Sequence, residues 1–470
     1  MAPLAFFFLF LSLSFSYSEA GSIGINYGRI ANNLPPPSKV VELLKTQGIS
    51  RVKLYDTEST VLTALSNSGI KVVVAMPNEL LSNAAADQSF TDTWIQTNIV
   101  NYYPATQIEA IAVGNEVFLD PKNTTNYLVP AMKNVQASLV KKNLDKAIKI
   151  SSPIAISALQ SSYPTSSGSF KTELIEPIIK PMLEFLHQTG SSLMVNAYPF
   201  FAYAANSDTI SLDYALFKQN PGVVDSGNGL KYSNLLDAQI DAVYAAMSAL
   251  HYDDVGITVS ETGWPSLGDS NEIGAGEDNA ASYNGNLVRR VLNGSGTPLR
   301  PNEPLDVFLF ALFNENQKTG PTSEKNYGLF YPSEEKVYDI PLTMAGVNNN
   351  KTSSASAGGG VGRSVVPVKG DVSAVANRGE TWCVANGGYS EEKLQHALDY
   401  ACGEGGADCS PIQPGAMCYN PNTLEAHASY AFNSFYQKKS RGSGTCDFGG
   451  AGYVVTQPPR YGTCNFPTGY

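Results

Sequence analysis

The sequence predicts an α/β protein: a (β/α)8 barrel followed by a small disulfide-rich C-terminal module. Three observations carry this. Eight short β-rich runs recur through residues 21–346, most of them separated by segments of helical spacing. All six cysteines fall between Cys383 and Cys464. Between body and tail stands a small, polar stretch beginning Asn348-Asn349-Asn350-Lys351 and ending Gly358-Gly359-Gly360.

The β-rich runs cover 23–27, 51–55, 71–76, 108–113, 148–152, 192–196, 257–260 and 306–311. Strands that alternate with helices form a parallel sheet covered by helices. Eight such repeats in a body of this length suggest closure into a barrel. In one intervening helix Ser233 is the expected cap, and Leu236, Ile240, Val243, Tyr244 and Met247 share a face. A doubly wound open sheet is the rival. It would be favoured by a glycine-rich phosphate loop after the first strand, and Tyr27-Gly28-Arg29 is not one.

The polar stretch cannot bury a core and reads as a flexible linker over 347–380. It divides the barrel at 21–346 from a module at 381–465. Six cysteines packed into a short segment read as a disulfide framework. They lack paired C-x-x-C spacing, and His187, His251, His396 and His427 are scattered, so neither a metal site nor a cofactor is expected.

Residues 4–13 are almost wholly apolar, and Ser18-Glu19-Ala20 offers a cleavage site before Gly21. Residues 1–20 therefore read as a secretory signal peptide, although no Lys or Arg precedes the apolar run, which is too short to cross a bilayer. Sequons at Asn123, Asn293 and Asn350 fit glycosylation on that route. The end of the chain, Asn465-Phe466-Pro467-Thr468-Gly469-Tyr470, lacks the apolar tail of a lipid-anchor signal. The expectation is a secreted monomer, extracellular or in the cell wall, without a membrane anchor. With 31 Lys and Arg against 42 Asp and Glu, the net charge is −11, and no basic run offsets it. A polyanion such as nucleic acid would be repelled. A neutral sugar polymer would be indifferent.

In a β/α barrel, chemistry sits where strands end. The fourth candidate strand ends Val113-Gly114-Asn115-Glu116, and the seventh ends Val259-Ser260-Glu261-Thr262-Gly263-Trp264-Pro265. Glu116 and Glu261 would face each other across the barrel mouth. Glycosidic bond cleavage uses such a pair: one carboxylic acid protonates the leaving oxygen while the other carboxylate attacks the anomeric carbon. Either glutamate taken alone is as readily an ordinary exposed carboxylate. Asn115 is a candidate to hold a sugar hydroxyl, and Tyr198 to donate a hydrogen bond to the nucleophile. Tyr55, Phe201 and Trp264 are candidate sugar-stacking platforms, with core packing an equal reading for each.

Several motifs together resemble glycoside hydrolase family 17, the family of plant endo-β-1,3-glucanases. They are Ile23-Gly24-Ile25-Asn26-Tyr27-Gly28, Arg51-Val52-Lys53-Leu54-Tyr55-Asp56, Val113-Gly114-Asn115-Glu116-Val117, Asn196-Ala197-Tyr198-Pro199-Phe200-Phe201, Val259-Ser260-Glu261-Thr262-Gly263-Trp264-Pro265-Ser266 and Phe313-Asn314-Glu315-Asn316-Gln317-Lys318. The likeness runs in order through residues 21–344. It implies a (β/α)8 barrel, a retaining mechanism, Glu116 as proton donor and base, and Glu261 as nucleophile. Glu315 and Lys318 resemble positions that line the cleft. They bind substrate or tune Glu261, or else form an internal ion pair.

The tail, with Thr381-Trp382-Cys383, Leu394-Gln395-His396-Ala397-Leu398-Asp399-Tyr400-Ala401-Cys402 and Cys418-Tyr419-Asn420-Pro421, is similar to carbohydrate-binding module family 43, which binds β-1,3-glucan. Spacing alone leaves about fifteen connectivities open. The resemblance implies Cys383–Cys446, Cys402–Cys409 and Cys418–Cys464, the last pair enclosing a loop at Arg441-Gly442-Ser443-Gly444. The implied protein is an endo-hydrolase of β-1,3-glucan held on its polymer by the tail. A wall protein that binds glucan with little activity and a β-1,3-glucan transglycosylase are the alternatives.

Overall fold

The computed structural model describes residues 21–348 and, within 381–468, all but 386–390, 404, 440, 442–444, 447, 449–450, 456–458 and 460–463. The expected signal peptide, nearly all of the linker, the Asn350 sequon and most of the loop after Arg441 lie outside the described residues. The chain divides into two compact units.

In the first unit nine strand segments form one parallel sheet. Its order runs Lys149–Ser151, Gln107–Val113, Lys71–Met76, Arg51–Lys53, Ile23–Asn26, Asp306–Leu309, Ile257–Thr262, Leu193–Asn196 and Pro153–Ala155. The first and last segments are halves of the fifth barrel strand, interrupted at Ser152. One half pairs with the fourth strand and the other with the sixth, so the sheet closes on itself as a (β/α)8 barrel. The seam is tied by Ser151, whose Oγ donates to the Ser192 carbonyl (2.7 Å) and accepts from the Met194 N–H (3.1 Å).

Alternation along each strand sorts side chains between two cores. Val72, Val74, Met76, Ile111 and Val113 face the helices. Val73, Ala75, Ala110, Ala112, Met194 and Phe308 pack against one another as a separate cluster inside the barrel. Phe308 fills so much of that space that a Cβ on Gly24 would stand 2.5 Å from its ring, which accounts for a glycine in the first strand. The same phase places Val52 and Leu54 outward with the helix-facing core. Arg51 and Lys53 therefore point inward. Arg51 closes the lower end on Glu109 (2.8 Å) and Asp306 (3.1 Å).

The helix expected after residue 233 runs Leu235–Ser248 and buries Leu236, Ile240, Val243, Tyr244 and Met247. Its cap is Asn234, not Ser233: Asn234 Oδ1 accepts the Asp237 N–H at 2.8 Å, while the Ser233 carbonyl takes a bond from Asn220 (2.9 Å). Val347, assigned by sequence to the linker, is buried and continues the body's last helical turn.

The second unit has its own core. Trp382–Ala385 pairs antiparallel with Gly452–Val455, beside helices Glu391–Cys402 and Leu424–Lys438. Phe432 and Phe448 stack at 4.0 Å. Disulfides join Cys383 to Cys446, Cys402 to Cys409 and Cys418 to Cys464, the pairs that the resemblance implies. A module this small buries too little apolar surface to dispense with staples, and losing a disulfide from such a domain typically costs about 2–5 kcal/mol. The cysteine-free barrel has no such dependence. Reductant is expected to unfold the tail while leaving the barrel's melting transition in place, seen by calorimetry as loss of one transition of two.

Candidate active site

The fourth strand ends in a turn that aims Glu116. Gly114 and Glu116 both have left-handed backbone, at φ 69° and 49°, a conformation rarely adopted by residues other than glycine. Neighbouring loops hold it there. Asn78 Oδ1 accepts the Asn115 N–H (2.8 Å), Asn78 Nδ2 donates to the Asn115 carbonyl (3.1 Å), and the Glu116 N–H donates to the Pro153 carbonyl (2.9 Å). Glu116 Oε1 accepts from Asn196 Nδ2 at 2.9 Å, and Asn196 Oδ1 accepts from Ser260 Oγ at 2.7 Å. A polar chain thus runs from the seventh strand through the sixth to Glu116.

Glu261 ends the seventh strand at a register shift against both neighbours. Its Oε1 accepts from Lys53 Nζ and its Oε2 from the Tyr198 hydroxyl, both at 2.9 Å. Lys53 is 1% exposed and Glu261 5%, so the pair is shielded from water.

These surroundings drive the two carboxyls apart. Burial raises the pKa of Glu116, and the Glu261 charge adds to it, against opposition from the Asn196 hydrogen bond and Lys53. Burial works the same way on Glu261, but the Lys53 charge, with hydrogen bonds from Lys53 and Tyr198, overcomes it and leaves that carboxyl below its ordinary pKa. Tyr55 and Tyr198 lie well above the usual tyrosine range, through burial first and the Glu261 charge second, and so remain donors. One carboxyl is biased toward the acid and the other toward the anion, the division that an acid-plus-nucleophile pair needs.

Both face a cleft of about 770 Å³. Tyr55, Asn115, Tyr198, Phe201, Glu315 and Lys318 also line it. The Tyr55 hydroxyl donates to Asn26 Oδ1 (3.2 Å), and Lys53 Nζ lies 4.1 Å from the centre of its ring. Phe201 stands 46% exposed at the rim. Glu315 and Lys318 line the cleft and form the internal ion pair, at 3.8 Å. Glu315 also accepts the Ile30 N–H (2.7 Å). Burial raises its pKa, opposed by Lys318 and by that N–H. A Cβ on Gly28 would stand 2.6 Å from the Glu315 carboxylate, so glycine there permits the contact.

Trp264 corrects the sequence expectation. It is fully buried, its indole N–H donates to the Gly274 carbonyl at 2.7 Å, and Phe200, Tyr203 and Tyr283 pack around it. It supports the loop after Glu261 from below and has no face to offer a sugar. Phe310 and Tyr327 supply cleft aromatics instead.

Sequence reasoning missed Lys53, Asn196 and Ser260 as site residues. A lysine inside a barrel strand is a signal, but it needs the inward phase of the strand to be read. Among the described residues, no group of three His, Cys, Asp or Glu is placed to hold a metal ion, and no helix is long and apolar enough to cross a membrane.

The chain is 42% identical over 466 residues to glucan endo-1,3-beta-glucosidase 12 of Arabidopsis thaliana, covering 97% of this chain and 87% of the relative. It is 39% identical to glucan endo-1,3-beta-D-glucosidase of Olea europaea, covering 98% and 96%. Among solved structures it is similar to CJP38, a beta-1,3-glucanase and allergen of Cryptomeria japonica pollen, at 42% identity and a TM-score of 0.66, covering 69% of this chain and 99% of that one. The X8 domain model matches residues 381–453. The model of glycosyl hydrolases family 17 matches residues 23–342, which takes in both glutamates and every strand of the barrel, and the chain belongs to that family of glycoside hydrolases.

Proposed function

We propose that this protein is a secreted, retaining endo-hydrolase of β-1,3-glucosidic linkages in β-1,3-glucans, with Glu261 as nucleophile, Glu116 as acid and base, and the tail as a glucan tether. The observation that carries the reading is the pair of strand-end carboxyls in one cleft, biased toward opposite protonation states. The names of the relatives support the substrate. Exposed Ile30, Leu119 and Phe201 along the rim suit a polymer lying across the site.

In the first step Glu261 attacks the anomeric carbon as the glycosidic C–O bond breaks. Glu116 gives its proton to the departing sugar oxygen. The product is a glycosyl ester on Glu261 with inverted configuration. Glu116, now anionic, takes a proton from water. That water's oxygen bonds to the anomeric carbon and releases Glu261, restoring the original configuration. Lys53 and Tyr198 hold Glu261 ionised and oriented beforehand. The Asn196 bond fixes Glu116 without supplying a charge that would stop it from being a proton donor.

Glu261→Gln is expected to lower kcat on linear β-1,3-glucan by about 10³-fold or more while leaving glucan binding intact. Substantial remaining turnover removes Glu261 from its role. With the parent protein, NMR of the first products should show the β-anomer; products longer than the substrate would favour transglycosylation.

The pH profile of kcat/KM should fall on the acid side as Glu261 becomes protonated and on the alkaline side as Glu116 ionises. Lys53→Met withdraws the positive charge that lowers the Glu261 pKa. Its acid limb should move to higher pH, by about 1–3 units; an unmoved limb excludes Lys53 as the cause.

A chain ending at Asn348 should retain kcat/KM on soluble oligosaccharides yet sediment less with insoluble β-1,3-glucan than the full chain does. A linked binder raises the effective concentration of the enzyme at the polymer. Equal sedimentation of the two proteins excludes the tether.

A further inference from the structure

A second hollow, of about 360 Å³, adjoins the catalytic cleft and shares Leu119 and Ser157 with it as common walls. Its walls are the connections that leave the fourth and fifth strands: Asn123, Thr125 and Asn126 on one side, Ser157, Lys171 and Glu173 on the other. Both connections emerge at the catalytic end of the barrel. The hollow mixes an apolar floor, including Leu174 and Ile178, with amide, ammonium and carboxylate groups. That composition suits a sugar, whose ring faces are apolar and whose edges are hydroxyls.

Asn123 is the acceptor of a sequon and belongs to this wall. It lies on the loop that begins at Glu116 and ends at helix Leu128–Lys141. It is exposed, has left-handed backbone at φ 52°, and is one of the residues that line the hollow. The loop is anchored through Asp120. Asp120 Oδ1 accepts the Lys122 N–H (2.9 Å), Oδ2 accepts the Thr124 hydroxyl (2.6 Å), and the Asp120 carbonyl accepts the Asn123 N–H (3.0 Å). A glycan attached here starts from a fixed base at the mouth of the hollow.

Asn293 differs. It follows helix Glu277–Leu292 in the connection that enters the eighth strand, at the other end of the barrel topology from the glutamates. Its neighbours Gly294 and Ser295 line a groove with Asp237 and Arg290 that has no residue in common with the cleft.

We propose that the hollow beside Asn123 is a lateral arm of the glucan cleft, and that an N-linked glycan on Asn123 occupies its mouth and restricts which glucans reach it. The proposal rests on the secretory and glucan-cleaving readings above. Long or branched chains need the arm; short oligosaccharides bound across the glutamates do not. The glycan therefore acts on substrate length and branching, not on the chemical step.

The test uses the full chain from a glycosylating eukaryotic host. Asn123→Asp removes the acceptor, and aspartate tolerates the left-handed backbone. Glycan occupancy is read by mass spectrometry. The readout is the ratio of kcat/KM on long β-1,3-glucan to kcat/KM on a short linear oligosaccharide. Losing one or two sugar contacts of ordinary hydrogen-bond strength corresponds to about three- to tenfold. Asn123→Asp should raise the ratio by that factor over the glycosylated parent, and Asn293→Asp should not. An unchanged ratio overturns the proposal, as does a secreted parent with a bare Asn123. A secreted, glycosylated protein that cleaves no β-1,3-glucan overturns the parent functional reading instead, and an Asn123 that carries its glycan in that case leaves the fault with the substrate.

Discussion

The buried contact between Lys53 and Glu261 sets the terms for everything around it. Two charges withdrawn from water cost several kcal/mol each before their attraction is counted, and the barrel interior below them is apolar, lined by Val73, Ala75, Ala112 and Phe308. Such a pair is poor value as stability. What it does is keep the Glu261 carboxyl below its ordinary pKa against the pull of burial. The hydroxyl of Tyr198 and the strand-end register shift complete the arrangement, since each settles where the Glu261 oxygens point.

Glu116 is built on the opposite principle. Among the described residues no cation forms an ion pair with it, and the side chain that hydrogen-bonds to it is the neutral amide of Asn196. Burial alone then favours the protonated form, and the fixed negative charge on Glu261 favours it further. The two pKa values are thus coupled: the same lysine that keeps Glu261 ionised makes Glu261 a source of repulsion for a second anion nearby. The strained turn at Glu116 costs on the order of 1 kcal/mol and is held by Asn78, just after the third strand, and by Pro153 of the fifth.

Strand positions were legible because a parallel barrel buries both faces of its strands, and runs such as 72–76 stay apolar and buried throughout. The glutamates were legible because they stand where those runs stop. The split of the fifth strand at Ser152 was not read, although Ser151-Ser152-Pro153 carries its mark, a proline that cannot donate to the ladder. Lys53 and Trp264 failed for a shared reason. Type and neighbourhood do not say which face a side chain takes. Lys53 in a strand reads as solvent-facing and turns inward; Trp264, three residues after Glu261, reads as a platform and turns away from the cleft. The inward phase follows only once Phe308 and Val73 are seen to share an interior.

The two units solve stability by different means, and the difference constrains how they can work together. The barrel closes its sheet through the seam at Ser151 and buries a large continuous core, so it needs no covalent staple. The tail has a cluster of a few residues around Phe432, and half-cystines make up part of that cluster. A protein whose barrel holds without cysteines and whose tail depends on them has two units that lose their folds under different conditions. Reduction would unfold the tail and leave the barrel's fold in place, whereas damage confined to the barrel would leave the tail folded on its own core.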